Sequence, residues 1–315
     1  MRVLIPGISG GIARQLALHL HARGHQVAGV DTRPWPEARE AGIQVYRGDV
    51  RKRAAEDVFR RWRPEAVVHM ATVTAFTVPG KERGRINLGG TKAVFDHCAA
   101  HGVKQVLFVG RHTFYGAAPD SPLYHSEDEP PRALEAIPEL ADLVAADLYA
   151  ATALWRLPKM TTAVLRLPYT LGAPGTGTLS SFLKGRRVPL VLGYDPLFHV
   201  LQEEDVVTAL TLALEKQIRG IFNVAGPPPI PLSVIVRETG RTGVPLPAPL
   251  LSLLLGRAGF PRLSVGALDH LRFPIVVDNR RFLDATGFEY RHSVADTLRI
   301  YRESAPILPA GNEAR

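Results

Sequence analysis

The chain has 315 residues, 46% of them hydrophobic and 22% charged, which is length enough for a sizeable core and the balance of an ordinary globular protein. Its single cysteine, Cys98, excludes a disulfide framework or a cysteine-built zinc site. The formal net charge of +8 comes from scattered arginines with no basic block interleaved with aromatics, which argues against a nucleic-acid partner.

"MRVLIPG" runs straight into a strand pattern and leaves no room for a signal peptide, and the longest apolar stretch, 249–255, is too short to span a bilayer. A cytoplasmic location with no membrane partner is expected. "RVLIPG" reads as the first strand. Ile12, Leu16 and Leu20 then recur at helical spacing, and Gly24 ends that helix. Strands follow at 26–31, 43–49, 66–71, 105–110 and 162–168, with helical patterns at 91–102 and 140–156 between them. Such alternation predicts an α/β fold: a doubly wound parallel sheet covered by helices.

From Pro168 the texture changes. Proline and glycine become frequent in "PYTLGAPGTG" and "AGPPPIPLS", and a proline-bounded apolar segment begins at 245. The expected organisation is a nucleotide-binding domain over 1–168 and a smaller substrate lobe over 169–315. Segments near 198–226 and 275–278 are expected to return to the first domain. The substrate loops are expected at about 70–85, 172–200 and 245–275.

"PGISGGIA" sits between the first strand and its helix, with Gly7, Gly10 and Ala13 at regular spacing. Glycines there let the backbone turn tightly and approach a pyrophosphate, which a helix N-terminus stabilises. In this context the loop predicts a Rossmann-type dinucleotide site. Asp31 closes the second strand, where an acid accepts the ribose 2′-hydroxyl and repels a 2′-phosphate, favouring NAD over NADP. Arg33, two positions on, softens that preference. His19, His21 and His25 lie on or just after one helix and read as surface residues without an acidic partner, not metal ligands.

Together these elements resemble the extended short-chain dehydrogenases/reductases of the NAD-dependent epimerase/dehydratase family. "GISGGIA" is similar to the family's Gly-x-x-Gly-x-x-Gly loop, with Ala13 for the third glycine. "GDV" (48–50), "VVHMAT" (67–72), "INLGGTKAV" (86–94) and "VLRLPYTLGAPG" (164–175) resemble later landmarks in the right order. The resemblance implies NAD, with NADP possible, held by Gly7, Ser9, Gly10, Gly11, Ile12, Asp31, Arg33, Asp49, Val50, Met70, Ala71, Thr72, Asn87, Val109 and Pro168. It implies a small-molecule substrate, sugar-nucleotide-like or a secondary metabolite, met by Thr74, Tyr169 and His199. A homodimer through helices 91–101 and 140–156 is the family default.

The departures bear on the chemistry. "FVGRHTFYG" aligns with the family's Ser-rich strand end, and Arg111 falls where a hydroxyl normally polarises the reacting carbonyl, with Thr113 two residues on. No Tyr-x-x-x-Lys occurs in the chain; counting back from "VLRLP" puts the pair at Leu140 and Val144. Tyr149 is the only tyrosine on that helix, about two turns later, with Ala153 at the lysine's spacing. Gln202 stands where the family often has a histidine.

Arg111, Thr113 and Tyr149 are therefore the candidate catalytic residues. Arg111 is no proton donor, but its guanidinium binds anions or steadies an oxyanion. Alternatively it is a structural arginine paired with a carboxylate of "HSEDEPP" (125–131). Strand alternation predicts that Arg111 and Thr113 share the cleft face and that His112 points away. Two functions follow: an atypical NAD(P)-dependent oxidoreductase without the tyrosine–lysine relay, or a non-catalytic dinucleotide sensor on the same scaffold.

Overall fold

The computed structural model describes residues 1–74, 78–136, 138–173, 177–255, 267–305 and 307. Its first elements are β1 (Arg2–Pro6), α1 (Gly11–Ala22), β2 (Gln26–Asp31), β3 (Gln44–Arg47), α2 (Arg53–Trp62) and β4 (Ala66–His69). They continue with α3 (Gly90–Ala100), β5 (Gln105–Arg111), α4 (Ala141–Arg156), β6 (Thr161–Leu167), α5 (Glu203–Glu215) and β7 (Gly220–Asn223).

The strands form one seven-stranded sheet in the order β7-β6-β5-β4-β1-β2-β3, parallel throughout. Their runs are continuously apolar because both faces are covered. Val3, Ile5, Leu107 and Leu165 pack against Leu16 and Leu20 of α1 and Val206 and Leu210 of α5. Leu4, Val67, Phe108 and Val164 face the other way, onto Phe59, Phe95 and Ala150. The strand order reverses between β1 and β4, which opens a crevice at their carboxyl ends.

Beyond β6 the chain builds a second layer from short pairs. Tyr169–Leu171 runs parallel to Val200–Gln202, and Arg187–Val191 parallel to Thr242–Leu246. Leu171, Phe182, Val188, Ile235 and Tyr301 give these pieces a core of their own. The chain returns to the main sheet through α5 and β7. The later return extends beyond the expected 275–278, because Phe282 and Phe288 pack in the same core as α1.

Gln202 caps α5, its side-chain oxygen accepting from Glu204 N, while Asp205 accepts from the backbone N–H groups of Arg291 and His292. One local reading is corrected. His25 does have an acidic partner, Glu215 at 3.3 Å, which also binds Arg23. Of the expected substrate loops, residues 75–77, 174–176 and 256–266 lie outside the described residues. Among the described residues no helix is long and apolar enough to cross a membrane.

Candidate active site

Gly7 leaves β1 with φ +88°, and a Cβ there would lie 2.6 Å from Ala71 N and from the carbonyl carbon of Met70. The loop therefore presses against the end of β4 at the point where the strand order reverses. At Gly10, by contrast, an added Cβ would meet nothing closer than 3.5 Å. Gly10 offers α1 no side-chain cap, and the first turn, from Gly11 and Ile12, carries no acid. Its N–H groups and the positive end of the helix are thus left for an anion.

Asp31 and Ser9 close one end of this crevice. The Asp31 carboxylate accepts Ser9 N at 3.0 Å and Arg33 N at 2.9 Å, with the Arg33 guanidinium at 3.4–3.5 Å. Asp49 is occupied by Arg51, which reaches both its oxygens at 2.6–3.1 Å; Val50 is buried beside it. The loop after β4 is pinned by Asn87, which exchanges bonds of 2.7 and 2.9 Å with the Val73 backbone. Asn87 also donates to Asp142 at 2.6 Å, and Arg83 pairs with the same carboxylate. Met70, Ala71, Thr72 and Thr74 are all part-exposed along this loop.

A pocket opens where β4 and β5 end. Thr72, Val109, Arg111 and Thr113 line one side, and Leu140, Leu143 and Val144 of the facing helix line the other. The residues at the tyrosine–lysine positions are thus apolar wall. Asp147, one turn further along α4, forms the floor and is held bidentately by Arg166 at 2.8 and 3.2 Å. Arg166 also donates to the Tyr115 hydroxyl at 2.8 Å and stacks on Phe114 at 3.5 Å.

The expected pairing of Arg111 with an acid of 125–131 does not occur. Glu129 takes His125, Asp128 takes Arg281, and Glu127 accepts Asn223 N and lies 3.8 Å from Arg281. Arg111 has no hydrogen bond or ion pair among the described residues. Burial holds its guanidinium below the ordinary arginine range, and the Tyr169 hydroxyl is the group whose field it feels. A desolvated cation without a counter-ion is costly unless a ligand supplies one.

His112 is corrected too. The strand ends at Arg111, and His112–Tyr115 is a 3₁₀ turn, so alternation no longer sets the side-chain directions. His112 is buried against Tyr169, ring centroids 4.5 Å apart, with Nδ1 3.1 Å from Leu167 O. Burial holds it well below the usual histidine range, helped by the neighbouring His270 and His199. Tyr169 follows the buried Pro168, stacks on Phe198 and lies 3.0 Å from His270 Nδ1. His199 meets Val277 N at 3.5 Å, and burial pushes His199 and His270 down to about 4.

The candidates thus separate. Arg111, Thr113, Thr72 and Val109 share one pocket; Tyr169 and His199 are not in its lining but lie behind it, Tyr169 close enough to act on Arg111 and His199 on His112. Tyr149 does not join them. It packs edge-on against Phe95, between Lys92 and Arg156, on the face of α4 turned to α3. Asp147, Arg166 and His270 were missed by sequence reasoning. An arginine inside the apolar run "VLRL" was a legible sign of a buried ion pair; His270 carried no such sign.

A glycine loop at the reversal of a doubly wound sheet, an acid ending β2 and a cleft at the ends of β4 and β5 define a short-chain dehydrogenase/reductase-type protein. The chain belongs to the NAD dependent epimerase/dehydratase family, whose model matches residues 3–225. It is 30% identical over 282 residues to a 3-diazoavenalumate denitrifying reductase of Streptomyces sp, covering 81% of this chain and 88% of that one. Among solved structures, MoeE5 in complex with UDP-glucuronic acid and NAD is similar with a TM-score of 0.77 and 22% identity, covering 96% and 98% of the two chains. The UDP-glucose 4-epimerase of Thermus thermophilus, in complex with NAD, gives 0.74 and 22%, with the same coverage.

Proposed function

We propose that this protein is an NAD(H)-dependent oxidoreductase that works in the reductive direction on a small organic substrate whose electron-accepting group lies against Arg111. The observation that carries it is Arg111 itself: a cation in a cleft without a counter-ion, facing apolar Leu140 and Val144 where the family's acid–base pair would stand. Stability alone gives no reason to keep such a charge. The reductase named among the relatives, acting by its name on a diazo carboxylate, supports both the direction and an anionic substrate.

The residues fit the cofactor. Gly10 leaves the room a pyrophosphate needs, the uncapped start of α1 supplies N–H donors, and the Asp31 carboxylate, held by Ser9 N and Arg33 N, would receive ribose hydroxyls in place of its long 3.4–3.5 Å contacts to the Arg33 guanidinium. When bound, the dinucleotide supplies the hydride. Thr72 and Val109, which line the same pocket as Arg111, would stand at its reacting end, and Arg111 would draw negative charge onto the substrate as it develops. Asp31 favours NAD(H), while Arg33 beside it keeps NADP(H) within reach.

The test is NADH oxidation with a panel of 4-formylbenzoate, 4-acetylbenzoate and 3-diazoniobenzoate. Arg111→Ala is expected to lower turnover about 10²-fold, an ordinary loss for one electrostatic group. Equal turnover in the variant removes Arg111 from the chemistry. Tight dinucleotide binding with no turnover in the wild type, on this panel or on sugar nucleotides, favours the non-catalytic sensor, for which the apolar Leu140 and Val144 also speak.

A further inference from the structure

On α4 the pocket's one acid, Asp147, is tied up by Arg166, yet a phenol, Tyr169, lies within the field of its Arg111 cation. Tyr169 is half-buried, its oxygen 3.0 Å from His270 Nδ1 and its ring edge-on to His112. The ionisable groups around this cluster are Arg111, His112, His199 and His270, and none is a carboxylate among the described residues. His112 and His270 are each at least nine-tenths buried, and each has an Nε2 without a hydrogen-bond partner. These polar atoms are gathered where the two layers meet, against the second residue after β6.

Resting on the reductive reading above, we propose that Tyr169 is the acid of this site, its hydroxyl held by His270 and its conjugate base stabilised by Arg111. His270 carries its proton on Nδ1 and donates it to the Tyr169 oxygen, which directs the phenolic O–H toward the cleft. In carbonyl reduction a hydride from the dihydronicotinamide joins the carbonyl carbon, and the C–O π pair moves onto oxygen. That oxygen takes the Tyr169 proton, and the phenolate regains one from water in the open cleft. Carbonyl, NADH and one proton thus become alcohol and NAD⁺.

Burial pushes the Tyr169 phenol up, and Arg111 draws it back down, the part that the family's lysine plays for its tyrosine. His270 is the positioning residue: burial keeps it neutral at pH 7, so it holds the phenol without competing for the cofactor's charge. The acid–base device is thereby assembled from the end of β5, the second residue after β6 and the short helix Ala267–His270. No four-residue motif spells it.

Tyr169→Phe is tested on the same panel. An arenediazonium takes a hydride and releases N₂ without needing a proton, so it reports hydride transfer alone. The expected result is an about 10²-fold loss of kcat on the two carbonyls, with NADH affinity and diazonium reduction retained. His270→Asn, which keeps a donor near the position of Nδ1, is expected to recover most of the carbonyl activity that His270→Leu loses. Carbonyl turnover unchanged in Tyr169→Phe overturns the acid role and leaves the Arg111 reading standing. A wild type that oxidises NADH with no panel member overturns both.

A substrate-free measurement decides the tautomer. Imidazole ¹⁵N shifts, assigned by His270→Asn among the 11 histidines, are expected to put the His270 proton on Nδ1. A proton on Nε2 would mean that the phenol donates to His270, and would overturn the proposal.

Discussion

Arg111 can be judged by what its removal does to stability. A structural arginine destabilises the fold when it is lost, whereas an unpaired buried cation destabilises it while present. Arg111→Met is therefore expected to raise the thermal midpoint by a few degrees, from about 1–2 kcal/mol of relieved desolvation, while lowering reduction about 10²-fold, as Arg111→Ala does. A lowered midpoint in a calorimetric scan would mean that Arg111 has a structural partner. Gly7 is the opposite case. Its φ of +88° and the 2.6 Å approach to Ala71 leave no place for a methyl, so Gly7→Ala is expected to cost at least about 2 kcal/mol in urea denaturation. Gly10→Val, where an added Cβ would make only ordinary contacts at 3.5 Å and beyond, should fold normally and lose only the dinucleotide.

At the scale of elements, apolar runs were legible and the joints between them were not. "QVAGVD" forms a strand over Gln26–Asp31, as its uninterrupted burial requires, and the pattern at 140–156 forms a helix over Ala141–Arg156. The single 3₁₀ turn after Arg111 has no period to read, and it turns His112 into the second layer instead of out of the cleft. The Asp147–Arg166 pair joins α4 to β6 across 19 residues and was equally silent, because spacing on separate elements says nothing about contact. Asp147→Leu leaves Arg166 buried without its carboxylate and is expected to cost about 3–5 kcal/mol. Adding Arg166→Met should recover part of that loss. A double variant as unstable as the sum of the two would show that the pair is uncoupled.

Across the whole molecule, the sheet and its glycine loop could be read from the chain, but the cleft could not. Its second wall comes from Tyr169, His199 and His270, which lie more than a hundred residues apart at the extremes and meet only through tertiary packing. Their burial has a global consequence. His69, His199 and His270 are held near 4, and His112 is also held well below the usual histidine range, whereas in the unfolded chain each takes a proton near 6.5. Between those values the unfolded state binds more protons, so stability is full above pH 6.5 and is lost as pH falls toward 4. His69, His199 and His270 each contribute on the order of 3 kcal/mol over that window. Urea midpoints at pH 7.5 and pH 5 should differ clearly; equal midpoints would mean that these rings are hydrated.

The division of labour between the glycine loop and Arg111 is tested most directly by calorimetric titration of NADH into wild type, Gly10→Val and Arg111→Ala, each confirmed folded. Wild type and Arg111→Ala are expected to bind NADH equally, and Gly10→Val not at all. Binding lost in Arg111→Ala would make the arginine a cofactor ligand, and no binding in the wild type would contradict the cofactor site itself.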